Sequence, residues 1–152
     1  MSTSIEHLMQ ALRQVLSLPQ LALNDERVCA LFIPGGLQVQ LEWDDAQHTL
    51  LMLAHVGQLD TQDPGAHAQR LLAANFLFAG TRGEALSVEP DTGRVFVCSQ
   101  LEPQHVSLDH AVEIFSRFVD TAQRWHDHLQ GVGTGGDASL AHTLKGTPLL
   151  RG

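Results

Sequence analysis

LLAANFLFAGTRGEALSVEPDTGRVFVCSQL, residues 71–101, decides the fold. Its first part reads as the end of a helix, with Leu71, Leu72, Phe76 and Ala79 at spacings that share a face. The helix is expected to run to about Ala79. Gly80 follows where a positive φ would close the last turn. Ala85 to Glu89 and Arg94 to Leu101 then read as strands, joined by Pro90-Asp91-Thr92-Gly93. Pro presets φ, Asp bonds its own backbone and Gly tolerates φ > 0, so the tetrad predicts a tight hairpin turn.

Upstream, Thr3 and Glu6 have the spacing of a capping box before Ile5, Leu8, Met9, Leu12, Val15 and Leu16 at helical intervals. Pro19 is expected to stop that helix. Val28 to Ile33 is a continuous apolar strand, and Pro34-Gly35-Gly36 turns the chain. Leu37 to Trp43 alternates, with Leu37, Val39, Leu41 and Trp43 on one face and Gln38, Gln40 and Glu42 on the other. After Asp44-Asp45-Ala46-Gln47, Thr49 to Val56 reads as a third strand, apolar on both faces. Asp63 is an N-cap with Pro64 at the first helical position. Ser107 caps a last helix, whose stripe of Leu108, Ala111, Val112, Phe115, Phe118, Val119, Ala122, Trp125 and Leu129 is the strongest periodic signal in the chain.

The predicted order is α-β-β-β-α-β-β-α, an α+β fold with a twisted antiparallel sheet and three helices. Residues 1–130 form the expected domain. Residues 131–152, rich in Gly, Thr and Ser, are expected to be a flexible tail.

Composition narrows the function classes. The 152 residues suffice for one domain without disulfide or metal support. A net charge of −8 disfavours nucleic acid and anionic membrane surfaces as partners. Cys29 and Cys98 make no disulfide framework and read as buried free thiols. The opening residues lack a basic stretch and a long apolar run, so no signal peptide or membrane span is expected.

Catalytic and metal motifs are weak. Gly131-Val132-Gly133-Thr134-Gly135-Gly136 matches G-x-G-x-x-G, but it follows a helix and not a strand, the wrong context for a dinucleotide site. The nine histidines, at 7, 48, 55, 67, 105, 110, 126, 128 and 142, include no i, i+4 pair and read as solvent-facing. Ser87 and Ser99 lack a nucleophile elbow. Cys98 in its strand reads as core, and Asp44-Asp45 as a solvated turn. No enzyme and no cofactor are expected. The remaining anomaly is surplus apolar surface. Three helices cannot easily cover both faces of a five-stranded sheet, so a subunit or protein partner is expected to cover the rest.

The residues also resemble a known family. Leu71-Leu72, Asn75-Phe76, Thr81, Gly83, Leu86-Ser87, Thr92-Gly93, Val95, Val97 and Leu101 resemble the signature of type III secretion chaperones that serve single effectors, the Tir chaperone family. Leu23-Asn24-Asp25-Glu26 with Cys29 resembles the family's approach to its first strand. Leu51, Leu53 and Val56-Gly57 resemble its third strand. Phe115, Phe118-Val119, Ala122, Trp125 and Leu129 resemble its last helix. The likeness runs from about Ile5 to Gln130.

That resemblance implies an acidic, cytoplasmic homodimer of a Gram-negative bacterium. It would hold the N-terminal chaperone-binding segment of a secreted effector, without hydrolysing nucleotide itself. The secretion ATPase is a further partner implied through the effector complex. The family's dimer contact maps to Leu72, Phe76, Leu86, Val88, Phe96 and Val97, and its effector grooves to Leu8, Leu12, Phe32, Val39, Leu41 and Trp43. Two alternatives stand beside this reading. One is a regulator of similar fold outside secretion, and the other a small ligand- or metal-binding protein using the histidines.

Overall fold

A computed structural model describes residues 3–131. It contains α1 (Ile5–Val15), β1 (Val28–Ile33), β2 (Leu37–Asp44), β3 (Thr49–Gln58), α2 (Pro64–Asn75), β4 (Ala85–Val88), β5 (Arg94–Leu101) and α3 (Leu108–Gln130). The five strands form one antiparallel sheet in the order β1-β2-β3-β5-β4, so β1 and β4 are its edges. The α+β order expected from the sequence is therefore observed. The expected tail lies outside the described residues beyond Gly131. The chain divides into two compact units, one joining Met1–Ala54 to Cys98–Asp120, the other joining His55–Val97 to the residues from Thr121 onward.

In the first unit, α1 is capped by Ser4, whose hydroxyl accepts from the His7 amide at 3.3 Å. The expected Thr3 capping box is absent. Thr3 is buried, and its hydroxyl donates to the Val106 carbonyl at 3.0 Å. A long-range bond thus outcompetes the local one. The helix ends at Val15, before Pro19 can act, and Ser17 takes a left-handed conformation just beyond. Val15 is exposed, while Ile5, Leu8, Met9 and Leu12 are buried. Ser4→Ala should lower stability by about 1 kcal/mol through loss of the cap, measured as a shift in the urea midpoint.

The β1–β2 hairpin turns through Gly35 and Gly36, both at positive φ. Its register pairs Phe32 with Gln38, Leu31 with Val39 and Cys29 with Leu41. Alternate residues therefore share faces. Cys29, Leu31, Leu37, Val39 and Leu41 are buried, and Ala30 and Phe32 are exposed. Burial raises the Cys29 thiol pKa, leaving it an inert core group. On α3, Ser107 Oγ accepts from the His110 amide as expected, and Ala111, Phe115 and Phe118 are buried.

In the second unit, Asp63 caps α2 by accepting from the Ala66 amide at 3.0 Å, with Pro64 in the first turn. His67, Leu71 and Ala74 form its buried face. The solvent-facing reading fails for His67. Its Nδ1 accepts from the Asp60 amide at 2.9 Å, which ties the preceding loop to the helix. Continued helix would carry this i, i+4, i+7 row to Phe78, but α2 stops at Asn75. A 3-10 turn follows over Phe76–Phe78, with Leu77 and Phe78 at positive φ. Helix to Ala79 is thus not observed, and Gly80 is not the left-handed residue. The hairpin turn before β5 is as expected, with Gly93 at positive φ and the Glu89 amide donating to the Arg94 carbonyl at 2.8 Å.

Candidate functional site

The first unit offers a surface at the edge strand β1. Phe32 is 70% exposed on the outer face, beside Ala30 and half-buried Val28. The facing row on β2 is Gln38, Gln40 and Glu42, and the Gln40 side-chain amide donates to the Glu42 carboxylate on that face. An edge strand leaves a row of backbone donors and acceptors open to another strand. Here that row borders a large aromatic side chain.

Around the β2–β3 turn lies a cleft of about 720 Å³, lined by Trp43, Leu51, Glu42, Asp44, Asp45 and Glu102 among others. The half-buried Trp43 donates its indole N–H to Asp45 at 2.9 Å. Arg27 donates to both oxygens of the same carboxylate at 2.6 and 2.9 Å, which holds the Asp45 pKa below the ordinary carboxylate value. Asp44 accepts from the Ala46 and Gln47 amides and so builds the turn. Both acids have structural partners and neither is arranged as a general acid or base. Among the described residues no group of His, Cys, Asp and Glu could hold a metal ion.

The second unit presents a different surface at the end of α2. Leu72 and Phe76, spaced i, i+4, are 68% and 63% exposed, and Leu77 and Phe78 are 50% and 56% exposed. The corner beneath them is firmly bonded. The Gly80 amide donates to the Ala74 carbonyl at 3.1 Å, and the Arg82 amide to the Phe78 carbonyl at 2.8 Å. Trp125 on α3 donates its indole N–H to the Gly80 carbonyl at 3.0 Å. The Asn75 side-chain amide takes both backbone groups of Leu86 on edge strand β4, at 2.8 and 3.1 Å. On β5, half-buried Phe96 has the His55 ring at 5.4 Å and the Arg94 guanidinium at 5.4 Å, and Arg94 in turn pairs with Glu89.

Residues 7–126 of this chain match the Tir chaperone protein (CesT) family. The chain belongs to that family. Among curated proteins no relative matches it. Its fold is shared with a chain of the ExsC–ExsE complex, at 22% identity and a TM-score of 0.68 over 82% of this chain and 92% of that one. It is shared with the Yersinia pestis type III secretion chaperone SycH, crystallised with a fragment of YscM2, at 18% identity and 0.57 over 78% and 96%. It also resembles YbjN, a putative transcription regulator from E. coli, at 18% identity and 0.56 over 82% and 90%. The fold thus extends beyond secretion chaperones, and the family match is what places this chain among them.

Among the residues that the family likeness pointed to, burial separates two groups. Leu8, Leu12, Val39 and Leu41 have no exposed surface and form the core of the first unit, so they offer nothing for a partner to touch. Phe32 and half-buried Trp43 remain on its surface. In the second unit Leu86 and Val97 are buried, Val88 and Phe96 are half-buried, and Leu72 and Phe76 are exposed. Leu77 and Phe78, also exposed there, lie outside the residues that the sequence brought forward. The available signal was Phe-Leu-Phe lying beyond the last buried turn of a helix too short to bury it.

Proposed function

We propose that this chain is a type III secretion chaperone that binds the N-terminal chaperone-binding segment of a secreted effector and keeps it soluble and competent for secretion. It does so as a cytoplasmic homodimer in a Gram-negative bacterium, by binding and not by catalysis. Residues 1–130 are the chaperone domain and 131–152 an appended tail. Membership of the Tir chaperone family supports this reading. Among the described residues no helix is long and apolar enough to cross a membrane.

The observation that carries it is the open edge of β1 with Phe32 on its outer face. An extended segment can pair its backbone with such an edge while alternate side chains meet the aromatic ring. Ordering an extended segment offsets part of the interaction energy, so capture stays reversible. Trp43 is assigned to the same effector-binding surface, and Leu72, Phe76, Val88 and Phe96 to self-association.

The test is co-expression with N-terminal segments of candidate secreted proteins, followed by size-exclusion chromatography with light scattering. The expected result is a dimer that captures and solubilises one segment without nucleotide. Phe32→Glu should weaken capture by at least about tenfold, as expected of an aromatic anchor, with the fold retained by circular dichroism. Capture unchanged in that variant would remove the edge of β1 from the binding surface.

A further inference from the structure

The edge of β1 is open over only part of its length. In an antiparallel pair the N–H and C=O of one residue point to the same side, and successive residues point to opposite sides. The Trp43 amide donates to the Arg27 carbonyl at 2.9 Å, so Arg27, Cys29, Leu31 and Ile33 face β2, and Val28, Ala30 and Phe32 face the free edge. Val28 is already paired. Its amide donates to the Asn24 side-chain oxygen at 2.9 Å, and its carbonyl accepts from the Asn24 amide at 2.9 Å. Asn24 thus stands where an added strand would sit. At the other end, Pro34 comes next in the alternation and has no N–H to offer. Among the described residues nothing bonds the outward backbone groups of Ala30 and Phe32.

Asn24 is firmly held. Its side-chain oxygen also accepts from the Glu26 amide at 3.0 Å, and its carbonyl accepts from the Arg27 amide at 2.9 Å. These bonds close a tight loop with Arg27 in the left-handed region at φ 64°. Arg27 is fixed in turn by its two bonds to Asp45. The approach to Asn24 is tied down as well. Arg13 on α1 donates to the Leu21 carbonyl at 2.6 Å, and the Ala22 backbone bonds the buried Cys29 thiol. These contacts draw residues 21–24 toward the buried side of β1, so Ala30 and Phe32 stay exposed.

We infer that Asn24 and Pro34 are positioning residues that confine a captured segment to Ala30 and Phe32, so that the edge takes a short strand in one register. This rests on the capture reading above and specifies its ligand. The ligand is an extended stretch of about three residues, since paired positions alternate, with one apolar side chain against Phe32. A longer strand gains no further backbone bonds there. A slip by one residue turns the apolar side chain to the other face, and a slip by two forfeits a pairing. The short ladder also limits pairing between the edges of two copies, which a long open edge would invite.

The experiment is residue-resolved amide exchange on the full chain, free and with the N-terminal segment captured in the co-expression above. In the unmodified chain, capture should slow the Ala30 and Phe32 amides at least about fivefold, the worth of one net hydrogen bond. Val28 should be unchanged, because Asn24 protects it beforehand. In Asn24→Ala the Val28 amide should exchange faster in the free chain and be slowed on capture. Asn24→Asp keeps the acceptor oxygen and should behave as the unmodified chain. In Pro34→Ala the new amide at position 34 should be slowed on capture, which tests the second stop even where the first variant fails to fold. If no segment is captured, the proposed function fails and this inference with it. If a segment is captured without slowing Ala30 or Phe32, pairing at the edge of β1 fails and the inference with it. If both are slowed, but capture slows neither Val28 in Asn24→Ala nor position 34 in Pro34→Ala, the inference alone is overturned. A lower melting temperature in Asn24→Ala, with Val28 still unaffected by capture, would overturn the role of Asn24 by making its bonds purely structural.

Discussion

Leu41→Ala should destabilise the chain by about 2–5 kcal/mol, because it empties a wholly buried position. Leu41 sits opposite Cys29 in the β1–β2 ladder, and its neighbours on that face, Leu37 and Val39, are equally inaccessible. Neighbouring side chains collapse only partly into such a space, so the lost transfer energy and the cavity add. Against a typical total stability of about 5–15 kcal/mol, this is a large fraction. Phe32→Ala, on the same hairpin, should move stability by no more than about 0.5 kcal/mol, because the ring is mostly in water already. Effector capture should show the opposite order. Leu41→Ala, assayed where it is still folded, should bind as before, and Phe32→Ala should not. Urea unfolding with a parallel capture assay measures both. A Leu41→Ala variant of unchanged stability but lost capture would return Leu41 to a binding groove.

That contrast shows what alternation in a sequence conveys. The pattern Leu37, Val39, Leu41 against Gln38, Gln40, Glu42 reveals two faces of a strand, and the structure has them. It also reveals which face is apolar. It does not reveal whether a helix of the same chain or a foreign segment covers that face, since both coverings select the same residues. The family likeness brought Leu8, Leu12, Val39 and Leu41 forward as contacts, whereas all four are wholly buried in the first unit. Element order was legible because it rests on strong local signals, such as Asp63-Pro64 before α2, the Pro90–Gly93 turn and the stripe of α3. The corner after α2 was not. Helical periodicity through Phe76 and Ala79 favours continuation, and the bonds that compete with it are a local one from the Gly80 amide to Ala74 and more distant ones from Trp125 to Gly80 and between Asn75 and Leu86. Likewise Thr3 had the right spacing for a cap, but a carbonyl about a hundred residues away, Val106, claims its hydroxyl.

Gly80→Ala should destabilise the chain by about 1–3 kcal/mol, through overpacking. A Cβ built there would lie 2.9 Å from the Ala74 Cβ and 3.0 Å from the Ala74 carbonyl oxygen. Neither neighbour can rotate away, because one is the stub of a buried alanine and the other is backbone. Moving the corner aside would also stretch the bond from Trp125 to the Gly80 carbonyl, and a buried indole N–H left unpaired costs about 1–3 kcal/mol more. Gly83, three residues on, is needed for a different reason. A Cβ there meets nothing within 4 Å, but φ is +97°. The two glycines therefore predict different responses to the same residues. Asn accepts left-handed backbone better than Ala does, so Gly83→Asn should be milder than Gly83→Ala. At Gly80 the obstacle is the Cβ itself, so Gly80→Asn should be at least as damaging as Gly80→Ala. Urea midpoints of the four variants decide between sterics and conformation at each site.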